Sequence, residues 1–130
     1  MTKGKDIIQR GVVLRGDLAP IHMGSYVILK ENVMIRPTFQ YDTKKKGRKE
    51  YAQIVMGDHV FIDQGTVVCA TYIGSNVHIG KNCIIGHRCQ IHDNTKILDG
   101  SVLAPDTVVA PYTVFGGQPA TYQGELPESI

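Results

Sequence analysis

Residues 73–115 read IGSNVHIGKNCIIGHRCQIHDNTKILDGSVLAPDTVVAPYTVF, and a spacing of six runs through them. Ile73, Ile79, Ile85, Ile91, Ile97, Leu103, Val109 and Phe115 are eight consecutive hits. Ile, Leu, Val, Met and Phe together make up 40 of the 130 residues. Eight chance hits in one frame therefore have a probability of roughly one in ten thousand. The residue four places after each hit is small or branched: Val77, Cys83, Cys89, Thr95, Ser101, Thr107, Thr113. A second inward row accompanies the first.

Gly74, Gly80, Gly86, Ala104, Ala110 and Gly116 follow six of the ladder residues and suit a sharply bent chain. Each hexad reads as a short strand and a corner. A period of six matches neither the 3.6 of a helix nor a heptad, but three extended hexads close a triangular coil. Successive coils then pair in parallel at ~4.8 Å. The frame recurs upstream at Met23, Leu29 and Ile35, and at Met56, Ile62 and Val68, and slips to five between Val68 and Ile73. About five or six coils are expected, forming an all-β solenoid in one domain over residues 1–130. The stretch 39–52 breaks the frame and is expected as an excursion loop that returns at Ile54.

Composition agrees with such a chain. Fourteen Gly and six Pro against three Phe and no Trp describe frequent turns around an aliphatic interior. The net charge is +2, and the run Lys44, Lys45, Lys46, Arg48, Lys49 supplies most of it. Setting aside that run with Asp42 and Glu50 leaves nine basic and ten acidic residues, too balanced for a nucleic-acid footprint. No apolar run is long enough to cross a bilayer, and Ile7 and Ile8 are too few for a signal-peptide core. The expectation is an intracellular protein without membrane insertion. Cys69, Cys83 and Cys89 are odd in number and lack CxxC spacing, so reduced interior thiols are expected.

A solenoid exposes strand edges at its two ends. The N-terminal end offers only the charged lead Met1 to Lys5. The C-terminal end offers Pro119, Tyr122, Gly124, Leu126 and Pro127, which can fold over an edge without forming an amphipathic helix. At least one end is expected to meet a partner. Tyr26, Tyr72 and Tyr112 are candidate contact residues on the outer faces.

The hexad period resembles the hexapeptide-repeat, left-handed parallel β-helix, and the handedness comes from that resemblance. Closer still, the chain resembles the dynactin subunit 5 family. The stretches that carry this are VVLRGDLAPIHMG from Val12, VMIRPTF from Val33, MGDHVFID from Met56, IGSNVHIGKNCIIGHRC from Ile73, KILDGSVLAPDTVVAPYTVFGGQPA from Lys96 and GELPE from Gly124. The RP after Ile35, the TVF at Thr113 and the GELPE are not general hexapeptide features. The resemblance implies a non-enzymatic, cytoplasmic, cytoskeleton-associated subunit without cofactor. It further implies pairing with a second β-helical subunit among the pointed-end subunits of dynactin, and support of dynein cargo or adaptor attachment.

Two enzyme classes stand as alternatives. Arg15 with Asp17, and Gly86 with His87 and His92, resemble pieces of the γ-class carbonic anhydrases. The remaining zinc ligand would fall at Cys69, eighteen residues before His87. A thiolate there would raise the pKa of bound water and weaken hydroxide formation. The preferred reading is therefore no metal site, with Cys69, His87 and His92 as the alternative ligand set. A hexapeptide acyltransferase would need a histidine base, for which His22, His59 and His78 are available. The basic excursion lacks a phosphate-cradling turn, and His59 beside Asp58 suits a corner hydrogen bond.

Overall fold

The computed structural model describes residues 6–16, 19–37, 39–42, 48–117 and 120–125. The first coil is β1 (Ile7–Ile8), β2 (Val13–Leu14) and β3 (Ile21–His22). The second is β4 (Ile28–Leu29), β5 (Met34–Ile35) and, beyond the strands β6 (Phe39–Asp42) and β7 (Arg48–Tyr51), β8 (Ile54–Met56). A third coil holds β9 (Phe61–Ile62), β10 (Val67–Val68) and β11 (Tyr72–Ile73), and a fourth β12 (His78–Ile79), β13 (Ile84–Ile85) and β14 (Gln90–Ile91). The fifth is β15 (Lys96–Ile97), β16 (Val102–Leu103) and β17 (Val108–Val109). Strand β18 (Thr113–Gly117) opens a sixth coil, and β19 (Ala120–Glu125) turns back along it.

Stacking makes three parallel sheets, here called the β1, β2 and β3 faces after their first strands. The β1 face runs β1-β4-β9-β12-β15-β18, the β2 face β2-β5-β10-β13-β16, and the β3 face β3-β8-β11-β14-β17. The result is a left-handed parallel β-helix of about five turns, all-β and without a helix among the described residues. The sequence frame is met rung by rung. On the β1 face Leu29, Ile62, Ile79 and Ile97 lie above one another in register, and each is fully buried. Ile35, Val68, Ile85 and Leu103 do the same on the β2 face, and Met56, Ile73, Ile91 and Val109 on the β3 face. Burying each such side chain contributes about 1.5–3 kcal/mol, so the ladder is the chief source of stability.

The second row has its own chemistry. Corners leave carbonyls facing the interior, and a buried carbonyl needs a donor. Cys83 Sγ donates to Leu98 O at 3.1 Å, Cys89 Sγ to Ala104 O at 3.2 Å, and Thr95 Oγ1 to His92 O at 2.8 Å. Thr66 Oγ1 donates to Gly80 O at 2.6 Å and accepts from Cys83 N at 3.2 Å. Small hydroxyl and thiol side chains fit because they combine little volume with one donor.

Each six-residue corner turns through one left-handed residue, for example Asn32 (φ 60°), Gly65 (φ 72°), Asn82 (φ 52°) and Gly100 (φ 70°). The corner between Val68 and Ile73 has none, which accounts for its being one residue shorter. The stretch 39–52, expected as a loop, contains an antiparallel hairpin instead. Phe39 stands opposite Tyr51 and Asp42 opposite Arg48. Once the chain leaves the coil, its two arms satisfy their backbone groups by pairing with each other. Lys44 to Lys46 of the basic run lie outside the described residues, as do Met1 to Lys5, Asp17, Pro119, Leu126 and Pro127. No helix long and apolar enough to cross a membrane occurs among the described residues.

Candidate docking surfaces

Alternation along a strand sends one residue of each pair inward and the other outward. On the β2 face the outward residues are Val13, Met34, Val67, Ile84 and Val102, paired in that order. All five are apolar. Val13 is 40% exposed and Ile84 50%, while Met34, Val67 and Val102 are half-buried. The stripe crosses five strands, a length of about 19 Å at the usual interstrand spacing. The other two faces are mixed, with His78 and Lys96 outward on the β1 face and His22 and Gln90 on the β3 face. An apolar centre between polar corners is the composition of a protein interface.

The N-terminal end continues this surface. Ile8 and Leu14 occupy ladder positions beneath Leu29 and Ile35, yet they are 44% and 37% exposed where the rungs above are sealed. Ile7 and Val13 lie beside them, also exposed. β1, β2 and β3 are the last strands of their sheets at this end, and no described strand pairs with their outer edges. At the C-terminal end no described strand pairs with the outer edges of β16 and β17 either, but the rungs there are sealed. Leu103 and Val109 are buried there, and β19 covers the edge of β18 through five paired positions from Thr113–Glu125 to Gly117–Ala120. Among the described residues the end with exposed rungs is the N-terminal one, and Val13 joins it to the stripe.

The residues of the enzyme readings are spread over the helix. Cys69 is buried at the short corner, where its carbonyl accepts Arg88 N at 3.2 Å. Burial pushes its thiol up, more than the nearby Arg36 lowers it, so it is a protonated group and not a ready thiolate. His87 is exposed beside Asp106, which also holds Arg88 Nε at 2.8 Å. His92 sits at the next corner against Tyr72, ring centroids 5.6 Å apart. Among the described residues no three His, Cys, Asp or Glu side chains gather as a metal ion would require. Arg15 donates its backbone N–H to Ile35 O at 3.0 Å.

The candidate histidine bases occupy outer positions. His22 is exposed on the β3 face. His59 stacks on Tyr26 at 5.0 Å and His78 on Phe61 at 4.9 Å. At the corner of His59 it is Asp58 whose side chain is used, Oδ1 accepting Ser25 N at 2.7 Å, while His59 contributes its backbone N–H to Ser25 O. Tyr26 and Tyr112 fall on one edge of the prism, and Tyr72 on the β3 face beside that edge. All three are exposed. Sequence reasoning missed the β2 stripe, although its signal was there: Val13, Met34, Val67, Ile84 and Val102 each immediately precede a rung.

Comparison with known proteins places this geometry. The family model described as Dynactin subunit 5 matches residues 1–130. A Dictyostelium discoideum protein named Dynactin subunit 5 is 56% identical over 127 residues, which is 98% of this chain and 63% of that protein. The chain thus spans less than two thirds of the length of that relative. Among solved structures, the N-acyltransferase AntD from Bacillus cereus, in complex with dTDP and 3-hydroxybutyryl-CoA, superposes with a TM-score of 0.75 at 12% identity, over 100% of this chain and 84% of that one. A maltose O-acetyltransferase from Clostridium difficile 630 superposes with a TM-score of 0.54 at 20% identity, over 98% and 70%. At such identities the likeness is one of fold.

Proposed function

From the premise that the chain belongs to the dynactin subunit 5 family, we propose that it is a non-enzymatic structural subunit of the cytoplasmic, cytoskeleton-associated dynactin complex. It pairs with a second β-helical subunit at the pointed end and so supports attachment of dynein cargo or adaptors. The observation that carries this reading is the continuous apolar surface from Ile8 and Leu14 through Val13 along the β2 face to Val102. A flat stripe of branched side chains suits another flat β-helical face, because both present rungs at the same ~4.8 Å repeat. Shape and period match without rearrangement, and the desolvated aliphatics supply the binding energy.

The experiment is co-expression with the second small hexapeptide-repeat subunit of dynactin, followed by native mass, zinc content and hydrogen exchange. The expected result is a one-to-one pair free of stoichiometric zinc, with exchange slowed on the β2 face and at the β1 and β2 edges. A homotrimer holding one zinc per chain would overturn the proposal and favour Cys69, His87 and His92 as ligands.

A further inference from the structure

The edge of the prism opposite the β2 face carries a chemically different surface. It is built by the corners that lead from the β3 face into the β1 face, and its left-handed positions are Tyr26 (φ 61°), His59 (φ 57°), Asn76 (φ 58°), Asn94 (φ 56°) and Tyr112 (φ 60°). On the edge between the β1 and β2 faces the matching positions are Gly11, Asn32, Gly65, Asn82 and Gly100. Gly and Asn enter this backbone region at least cost, His less easily, and a bulky Tyr is an outlier there.

The backbone of the turn does not require a tyrosine, although the Tyr26 ring also stacks on His59 at 5.0 Å, so Tyr112 carries the argument. Asn76 and Asn94 make the same corner, each giving its backbone N–H to the coil below at 3.0 Å and 2.9 Å, as Tyr112 does to Asp93 O at 3.2 Å. The cost falls at positions where the ring is displayed: Tyr26 is 45% exposed and Tyr112 40%. Strain kept for an exposed aromatic group points to recognition.

Charge says what is recognised. Asp58 and Asp93 stand on this edge, and none of its corner positions 24–26, 57–59, 74–76, 92–94 and 110–112 is Lys or Arg. The neighbouring edges carry both signs, Arg10, Lys30 and Lys81 with Glu31, Asp63 and Asp99 on one, and Arg36 and Arg88 with Asp106 on the other, so only this edge has carboxylates without Lys or Arg among them. Oδ1 of Asp58 accepts Ser25 N at 2.7 Å, and Oδ1 of Asp93 accepts Ser75 N at 2.8 Å, so both carboxylates are fixed in place. Exposed tyrosine rings at the two ends of a row of anchored carboxylates complement guanidinium groups, which stack on aromatic faces and pair with carboxylates. We propose that this edge binds an arginine-bearing segment of a partner protein. Lying across the triangle from the β2 face, it stays open when that face is covered.

The test titrates the full chain into fluorescent peptides of alternating Arg and Gly, or Lys and Gly, and reads anisotropy. Expected are tighter binding of the Arg peptide, and losses of about three- to fivefold for each of Tyr26→Asn, Tyr112→Asn and Asp93→Asn. Gln64→Ala, exposed on the edge between the β1 and β2 faces, should leave the affinity unchanged. Tyr112→Asn should melt at or above the parent temperature, since Asn relieves the strained backbone. Equal affinity for the two peptides, undiminished binding by both Tyr variants, or a lowered melting temperature in Tyr112→Asn would each overturn the proposal.

Discussion

The His78 imidazole lies flat on the Phe61 ring of the coil below, 4.9 Å between centroids and 4° from parallel. Burial against that ring, and secondly the charge of Lys96, hold its pKa below the ordinary 6.5, outweighing Asp63 and Asp99. The unfolded chain therefore binds more protons just below pH 6.5, and stability falls as pH drops through that point. Above it this group contributes no pH dependence. Melting curves between pH 7.5 and 5 should show a shallower acid slope for His78→Gln than for the parent. Parallel slopes would contradict the assignment.

Ile79 and Ile8 occupy equivalent rungs of the β1 face, yet one is sealed and the other is 44% exposed. Ile79→Ala leaves a void between Ile62 and Ile97 and should cost about 3–4 kcal/mol. Ile8→Ala removes atoms already largely in water and should cost less than about 1.5 kcal/mol. Urea denaturation of both variants checks the difference. Comparable losses would mean that the N-terminal end is covered.

What could be read from the sequence follows from what repeats. Ile73 to Val109 hold one sealed environment seven times over, so their period survives any single substitution. The corner residues repeat too, three places after each rung, but Tyr26, His59, Arg88 and Tyr112 hide the Gly and Asn preference of that position. The first coil is faint in the sequence because only Ile8 and Leu14 mark it before the frame breaks at residues 15–20. The hairpin at 39–51 was illegible for a different reason: its pairing is antiparallel and local, and the hexad frame carries no information about it. The docking stripe required knowing which residues share a face, and that depends on coil length more than on residue type.

Gly80 shows how closely successive coils approach. A Cβ there would meet Asp99 Oδ1 and lie 2.7 Å from Asp99 N, while Asp99 Oδ1 also accepts Lys81 N at 2.8 Å. Gly80→Ala must therefore push the corner apart and should cost about 2 kcal/mol or more. A Cβ at Gly16 meets nothing within 4 Å, and Gly16→Ala should be within about 0.5 kcal/mol of neutral. Thermal denaturation of the pair separates this steric effect from general glycine loss.

The three thiols give a chemical readout of the core. Burial raises the pKa of Cys69, Cys83 and Cys89 above the usual 9.0. At pH 8 all three are protonated in the folded state and poor nucleophiles. Native labelling with a thiol reagent should be slow for all three, with Cys69 first because it is 9% exposed while the other two are sealed. In urea all should react at the rate of a free cysteine. The raised values also mean that stability declines as pH climbs through about 9, where the unfolded thiols lose their protons first. Fast native labelling of Cys69 would instead indicate a thiolate, as a zinc ligand requires.

Ile84 tests the stripe without touching the ladder. Its side chain is half exposed on β13, while Ile85 beside it carries the buried rung. Ile84→Glu leaves every inward contact in place, so the monomer should lose less than about 1 kcal/mol. In the pair with a second β-helix the same carboxylate would be placed between Val67 and Val102, away from water and without a counter-charge. Burying an unpaired charge at an interface costs several kcal/mol, or on the order of a thousandfold or more in affinity. The variant should therefore fold, melt close to the parent, and fail to co-purify with the second β-helical subunit. Lys96→Glu, outward on the β1 face, should pair normally. If Lys96→Glu abolished pairing and Ile84→Glu did not, the β1 face would be the one that docks.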